Sequence, residues 1–169
     1  MLENSYMKAT LLFLFLFSNL AISSTDPLKN IELITPSSDV VRTSLAYKSA
    51  DIIRGLSGMK PDDFNADQGK FFFYFSNDWR TFWMRETFFN LDIIYLDPNL
   101  KIIRIVRDMP FYEGRQYNRI PRAPSIKSRH VLEMKASSEI SARLNVGDQL
   151  IWKSSLSMKR TAQLMWQRL

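Results

Sequence analysis

Gly69 to Phe75 read Gly-Lys-Phe-Phe-Phe-Tyr-Phe, and this run sets the first condition on the fold. A strand with one wet face alternates apolar and polar residues, whereas an unbroken aromatic run marks a strand covered on both faces or at a sheet centre. The chain must therefore supply apolar cover on two sides. A second stretch, Phe82 to Leu96, repeats the demand: Phe82, Trp83, Met84, Phe88, Phe89 and Tyr95 surround only three charges, Arg85, Glu86 and Asp92.

The remaining patterns are those of short strands. Ile31 to Thr35 and Val40 to Ser44 read as two strands broken at Pro36. Ile93 to Leu96, the turn Asp97-Pro98-Asn99, and Lys101 to Arg107 read as a hairpin, since the fixed φ of proline suits the second position of a type I turn. Charges at 101, 104 and 107 break the alternation of the second strand, so part of it is expected to be covered on both faces. Ser76-Asn77-Asp78 reads as a turn, Pro110 to Ser128 as a long polar loop, His130 to Lys135 as a strand, and Leu150 to Lys153 as the last strand. Helical spacing is confined to a turn capped by Ser49 and ended by Gly55, a short helix after Ser137 or Ser138, and the tail. In the tail, Met158, Ala162, Met165 and Leu169 share one face, flanked by Leu164 and Trp166. That face can close one side of the domain or lie on a membrane surface.

The N-terminus reads as a secretory signal over residues 1–24: Lys8, an apolar run from Ala9, then Ala21, Ser23 and Ser24, with cleavage near Ser23 or Ser24. Glu3 is unusual before such a run, and Met7 makes a cleaner translation start. The run falls short of the ~20 residues a bilayer-spanning helix needs. The expected product is exported, periplasmic or extracellular. With no cysteine, it has no disulfide, no thiolate chemistry and no Cys-ligated zinc.

The net charge of +6 is unevenly spread. Lys101, Arg104, Arg107, Arg115, Arg119, Arg122, Lys127 and Arg129 face only Asp108 and Glu113 in their segment, and Lys153 to Leu169 holds no acid. Such polarity suits an anionic partner, an envelope component or a membrane surface, or else reflects solvated strand faces and loops. Export speaks against nucleic acid.

Three groups are candidates for acid/base chemistry: Glu86, Asp92 and His130. Glu86 and Asp92 are six residues apart around a bend and could share a proton as a carboxylate pair. Alternatively, Asp92 serves a turn, with Arg85 or Arg54 as ionic partner. His130 is the sole histidine, which excludes multi-histidine metal sites. It could be served by Ser128, Glu133 or Asp92, or simply sit at a strand edge in the basic patch. No nucleophile elbow, phosphate loop or metal-ligand spacing occurs, so neither metal nor cofactor is expected. Of the aromatic side chains, Tyr74, Trp79 and Trp83 are the best candidates for a surface.

Six blocks then carry a resemblance: Arg54-Gly55-Leu56; Gly69 with its aromatic strand; Phe82-Trp83-Met84 with Thr87; Leu91-Asp92; Val131-Leu132-Glu133; and Val146-Gly147-Asp148. In order and spacing, from Val40 to Trp152, the chain resembles the prokaryotic family known as domain of unknown function 192. The resemblance implies a compact, mainly β domain, often exported, with no established activity. The chain departs from the family pattern at Lys70 (usually Met), Glu86 (usually Asn), Asn90 (usually Pro) and Ser137 (usually Gly).

The expected fold is mainly β, a compact β-sandwich or partly closed barrel with two or three short helices and a C-terminal helix. Residues 25–39 form a linker and first strand, 40–153 the β domain and 154–169 the helix. The expected role is a non-catalytic binding or accessory module of the envelope. Its binding residues are Arg54, Trp83, Arg85, Glu86 and Asp92, and its partner is a small ligand or an anionic envelope component. A hydrolase of an envelope polymer and a membrane-attached module are the alternatives.

Overall fold

The computed structural model describes residues 26–28, 31–112, 114 and 116–169. The expected signal segment and the choice between Met1 and Met7 lie outside the described residues. Seven strands form one mixed sheet: β1 (Ile31–Ile34), β2 (Val40–Ala46), β3 (Gln68–Arg80), β4 (Leu91–Leu96), β5 (Ile102–Met109), β6 (Ile126–Lys135) and β7 (Ile151–Lys153). Three helices accompany them: α1 (Ser49–Arg54), α2 (Glu139–Arg143) and α3 (Met158–Gln167). The mainly β expectation holds, in an open form. The strand order is β5-β4-β6-β3-β2-β1-β7, and the sheet does not close into a barrel. A single bridge, Lys101 to Gln149, joins its two edges among the described residues.

Every pairing is antiparallel except β2 with β3. A parallel pair needs a long crossover, and here it is made by α1 and the loop after it. The aromatic run is in β3, the central strand of the sheet, and is covered on both sides as expected. Phe71 and Phe73 point to one core with Ile94, Leu96, Leu132 and Met165; Phe72 points to the other with Phe82, Met84, Tyr95 and Val131. Each fully buried ring contributes ~2–3 kcal/mol of hydrophobic stabilisation. Helix α3 lies over the first core. Loops 55–64, 81–90 and 121–124 supply the cover of the second.

The β4–β5 hairpin forms as expected, because the Asp97 carboxylate accepts from the backbone N–H of Asn99 (2.7 Å) and Lys101 (2.9 Å). The helix after Ser138 also forms, with the Ser138 hydroxyl accepting from Ser141 N at 3.3 Å. Helix α3 is capped by Ser157 and uses Met158, Ala162 and Met165 for packing. The apolar stripe thus closes the domain through three of its four expected positions, while Leu169, beyond the helix, is 63% exposed and Trp166 67% exposed. Among the described residues no helix is long and apolar enough to cross a membrane.

Two local expectations are corrected. Ser76-Asn77-Asp78 is not a turn: β3 runs on to Arg80, and a register shift between Phe73 and Asp78 absorbs the irregularity before pairing with β6 resumes. Ser49 is the first helical residue and not the cap. Strand β5, by contrast, meets its expectation in part: adjacent Ile105 and Val106 are partly buried against the first and second cores, while Arg104 and Arg107 of this edge strand are exposed.

Candidate functional site

Two sites expected to be one are separated by the sheet. In β4, Leu91, Ile93 and Tyr95 face the loop-covered core, so Asp92 faces the other side, by the two-residue period of a strand. There it is buried and ion-paired to Arg107 (2.6 Å), with Ser141 Oγ donating to it at 2.7 Å and Asp108 N at 2.9 Å. Arg107 also donates to the Ser141 carbonyl (2.7 Å). The cluster pins α2 to β4 and β5. Asp92 is thus a structural ion, its partner is neither Arg85 nor Arg54, and no carboxylate pair forms with Glu86.

His130 is not at a strand edge. It lies within β6, between β4 and β3, with ring centroids 4.5 Å from Phe73 and 5.3 Å from Phe71. Burial, with Arg129 and Arg80 nearby, lowers its pKa to about 3, so it is neutral. Glu133 is three residues along the same strand and faces the opposite side. Among the described residues, neither it nor any other carboxylate hydrogen-bonds His130 Nδ1.

The remaining candidates gather on the loop-covered face. Arg85 and Glu86 form a turn in which Ser57 Oγ donates to the Arg85 carbonyl (2.6 Å) and Gly58 N to the Glu86 carbonyl (2.9 Å). Glu86 has φ +52°, the left-handed region that asparagine tolerates better. The asparagine of the family pattern is thereby explained by backbone shape. Glu86→Asn should stabilise the fold by about 1 kcal/mol, a rise in urea midpoint at unchanged slope. Asn90 likewise holds local structure, since its side-chain nitrogen donates to Asp108 (2.8 Å) and its side-chain oxygen accepts from Phe111 N (2.9 Å).

Trp83 is the hinge of the arrangement. The long loop crosses it through a bridge with Arg122, held by Met84 N to the Pro121 carbonyl (3.0 Å) and Ala123 N to the Phe82 carbonyl (2.8 Å). This places Arg122 5.1 Å from the Trp83 ring centroid and Tyr117 edge-on at 5.6 Å, while Arg85 stands 5.7 Å away. Outside lies a groove of about 560 Å³ lined by Arg85, Glu86, Phe88, Tyr112, Tyr117 and Ile120. Of the three aromatic side chains expected at the surface, Trp79 is exposed, Trp83 half-buried, and Tyr74 half-buried beneath Arg80, 3.7 Å from its ring centroid.

Inside, Trp83 and Thr87 line a second, much smaller cavity of about 20 Å³, with Arg54, Gly55, Ser57, Phe72, Phe82 and Glu133. Glu133 is 4% exposed, and its Oε2 has no hydrogen-bond partner among the described residues. Burial pushes its pKa up to about 8, against the pull of Lys70, its cross-strand neighbour on β3. Burial likewise lowers the pKa of Lys70 and raises that of Tyr74 to about 12. Residues 83 and 87 face in while 85, 86 and 88 face out, so this one turn is the wall between cavity and groove. Sequence reading missed Glu133 as a centre, though a carboxylate between Leu132 and Met134 in an apolar strand was the available signal. It also missed Arg122 and Tyr117, whose placement depends on the loop crossing.

The model of the DUF192 family, described as an uncharacterised ACR, matches residues 32–152. No curated protein matches the chain. Among solved structures, a protein of unknown function from Novosphingobium aromaticivorans DSM 12444 is 25% identical, with a TM-score of 0.59 over 73% of this chain and 84% of that one. A candidate transcription regulator from Sinorhizobium meliloti 1021 is 22% identical, with a TM-score of 0.58 over 73% of this chain and 92% of that one. The second likeness concerns the fold alone.

Proposed function

This chain belongs to the DUF192 family, and we propose that it is a non-catalytic binding module of the cell envelope that takes an anionic glycan in the groove beside Trp83. The observation that carries this reading is a groove of about 560 Å³ lined by Phe88, Tyr112, Tyr117 and the Arg85 guanidinium, with Arg122 5.5 Å from the Tyr117 ring centroid and Trp83 edge-on behind Tyr117. Pyranose rings stack on aromatic faces, and a carboxylate on the sugar matches the planar fork of arginine. Export, expected from the N-terminal sequence, would bring the chain to such polymers. The hydrolase alternative, built on Glu86 with Asp92 or on His130, draws no support from groups divided between two faces of the sheet. The membrane alternative loses Met158, Ala162 and Met165 to the core.

The test is titration calorimetry with soluble, carboxylated cell-wall glycan fragments. Wild-type protein should bind, and Arg85→Ala/Arg122→Ala should weaken binding at least tenfold, about 1.4 kcal/mol. Trp83→Ala should do the same. Absence of heat with wild type, or affinities unmoved by both variants, would reject the reading.

A further inference from the structure

Behind the groove, the Glu133 cavity serves no purpose in the fold that its surroundings explain. A buried carboxyl is normally paired or hydrogen-bonded, because leaving it unmatched is costly. Here the carboxyl has an unpartnered oxygen at a cavity of about 20 Å³, with its lip at exposed Ile53 and Arg54 and half-buried Trp83. That space holds one water-sized group and nothing larger. The walls are more polar than apolar, with Arg54, Ser57, Thr87 and the Glu133 carboxyl set among Ile52, Phe72 and Phe82.

Charge decides what kind of group fits. Lys70 of β3 puts positive potential on the carboxyl, Asp51 and Arg54 of α1 act in opposite senses on Lys70, and Arg54 also lines the cavity; Tyr74 of β3 and Tyr95 of β4 face the carboxyl as well. A cationic ligand head is disfavoured there, and a carboxylate is too large. A hydroxyl has the right size, and it both donates and accepts, as does a neutral carboxyl. Resting on the glycan reading above, we propose that Glu133 anchors the ligand by exchanging two hydrogen bonds with a single ligand hydroxyl that enters beside Trp83, and so sets which sugar is accepted.

Three variants and a pH series test this by calorimetry with the same glycan fragments. Glu133→Leu should lose at least tenfold in affinity, while Glu133→Gln, whose amide also donates and accepts, should stay within threefold of wild type. Between pH 7 and 9 the wild-type affinity should fall as the carboxyl ionises, and Glu133→Gln should stay level. Fragments lacking single hydroxyls should identify one whose loss weakens wild type and leaves Glu133→Leu unmoved. Thermal melting checks that each variant is folded. If Trp83→Ala abolishes binding but Glu133→Leu binds like wild type, this inference fails and the glycan reading stands. If wild type does not bind, both fall.

Discussion

Replacing Glu133 by Gln should raise the melting temperature at pH 9 and leave it nearly unchanged at pH 4. The ordinary pKa of the group is 4.5, and burial raises it to about 8 in the folded protein. Between those values the folded state holds a proton that the unfolded state has released. Stability therefore falls as pH rises through this window and levels off above about pH 8. Gln cannot ionise, so the variant escapes the loss. The full gap corresponds to at most ~5 kcal/mol, and water entering beside the ionised group reduces it, so a gain of ~2 kcal/mol at pH 9 is expected. His130 should act in the opposite direction. Its pKa drops from 6.5 to about 3 on folding, so below pH 6.5 the unfolded state takes the extra proton and stability is lost as pH falls. His130→Phe should flatten the acid arm as Glu133→Gln flattens the alkaline one. A wild-type melting temperature level from pH 5 to 9 would contradict the burial of Glu133.

Arg107→Ala should be strongly destabilising, through the other face of the sheet. It strands the Asp92 carboxylate, whose side chain is almost fully buried, and removes donors from the carbonyls of Ser141 and Leu144. Breaking a buried pair from one side typically costs 3–5 kcal/mol; because Arg107 is itself partly exposed, ~3 kcal/mol is expected from urea denaturation. Removing both charges should cost less than the sum of the single losses, since neither is left alone. Glycan binding by the folded variant should be unaffected, because the cluster is across the sheet from Trp83. Additive single losses, or an Arg107→Ala variant as stable as wild type, would refute a buried ion-pair role.

Much of the fold was legible because it is written in local chemistry. The unbroken ring run of β3 demanded cover on both faces, Asp97-Pro98-Asn99 made its hairpin turn, Ser138 capped α2, and the spacing of Met158, Ala162 and Met165 named the buried stripe of α3. Where local patterns misled, a distant partner decided. Ser76 to Asp78 has turn composition, but β6 is long enough to pair beyond it, so the strand continues through a shift in register.

The site divides the same way. Trp83 and Arg85 could be named from sequence because an aromatic-rich stretch with few charges is a local anomaly, and Arg54 because it opens the first block of the family pattern. Glu86 and Asp92 looked like a pair because they are close along the chain, yet one stands in a surface turn and the other enters a strand on its far face.

By itself the sequence determined the mainly β class, most of the strands and turns, the C-terminal helix and the family, since alternation, capping and turn residues act over a few positions. Tertiary structure alone decided which carboxylate is buried beside Trp83. With β6 between β4 and β3, Glu133 is enclosed under α1 and the Trp83 turn, while Asp92 and His130 go to the opposite face. Strand order is a property of long-range pairing, and no local pattern in the chain encodes it.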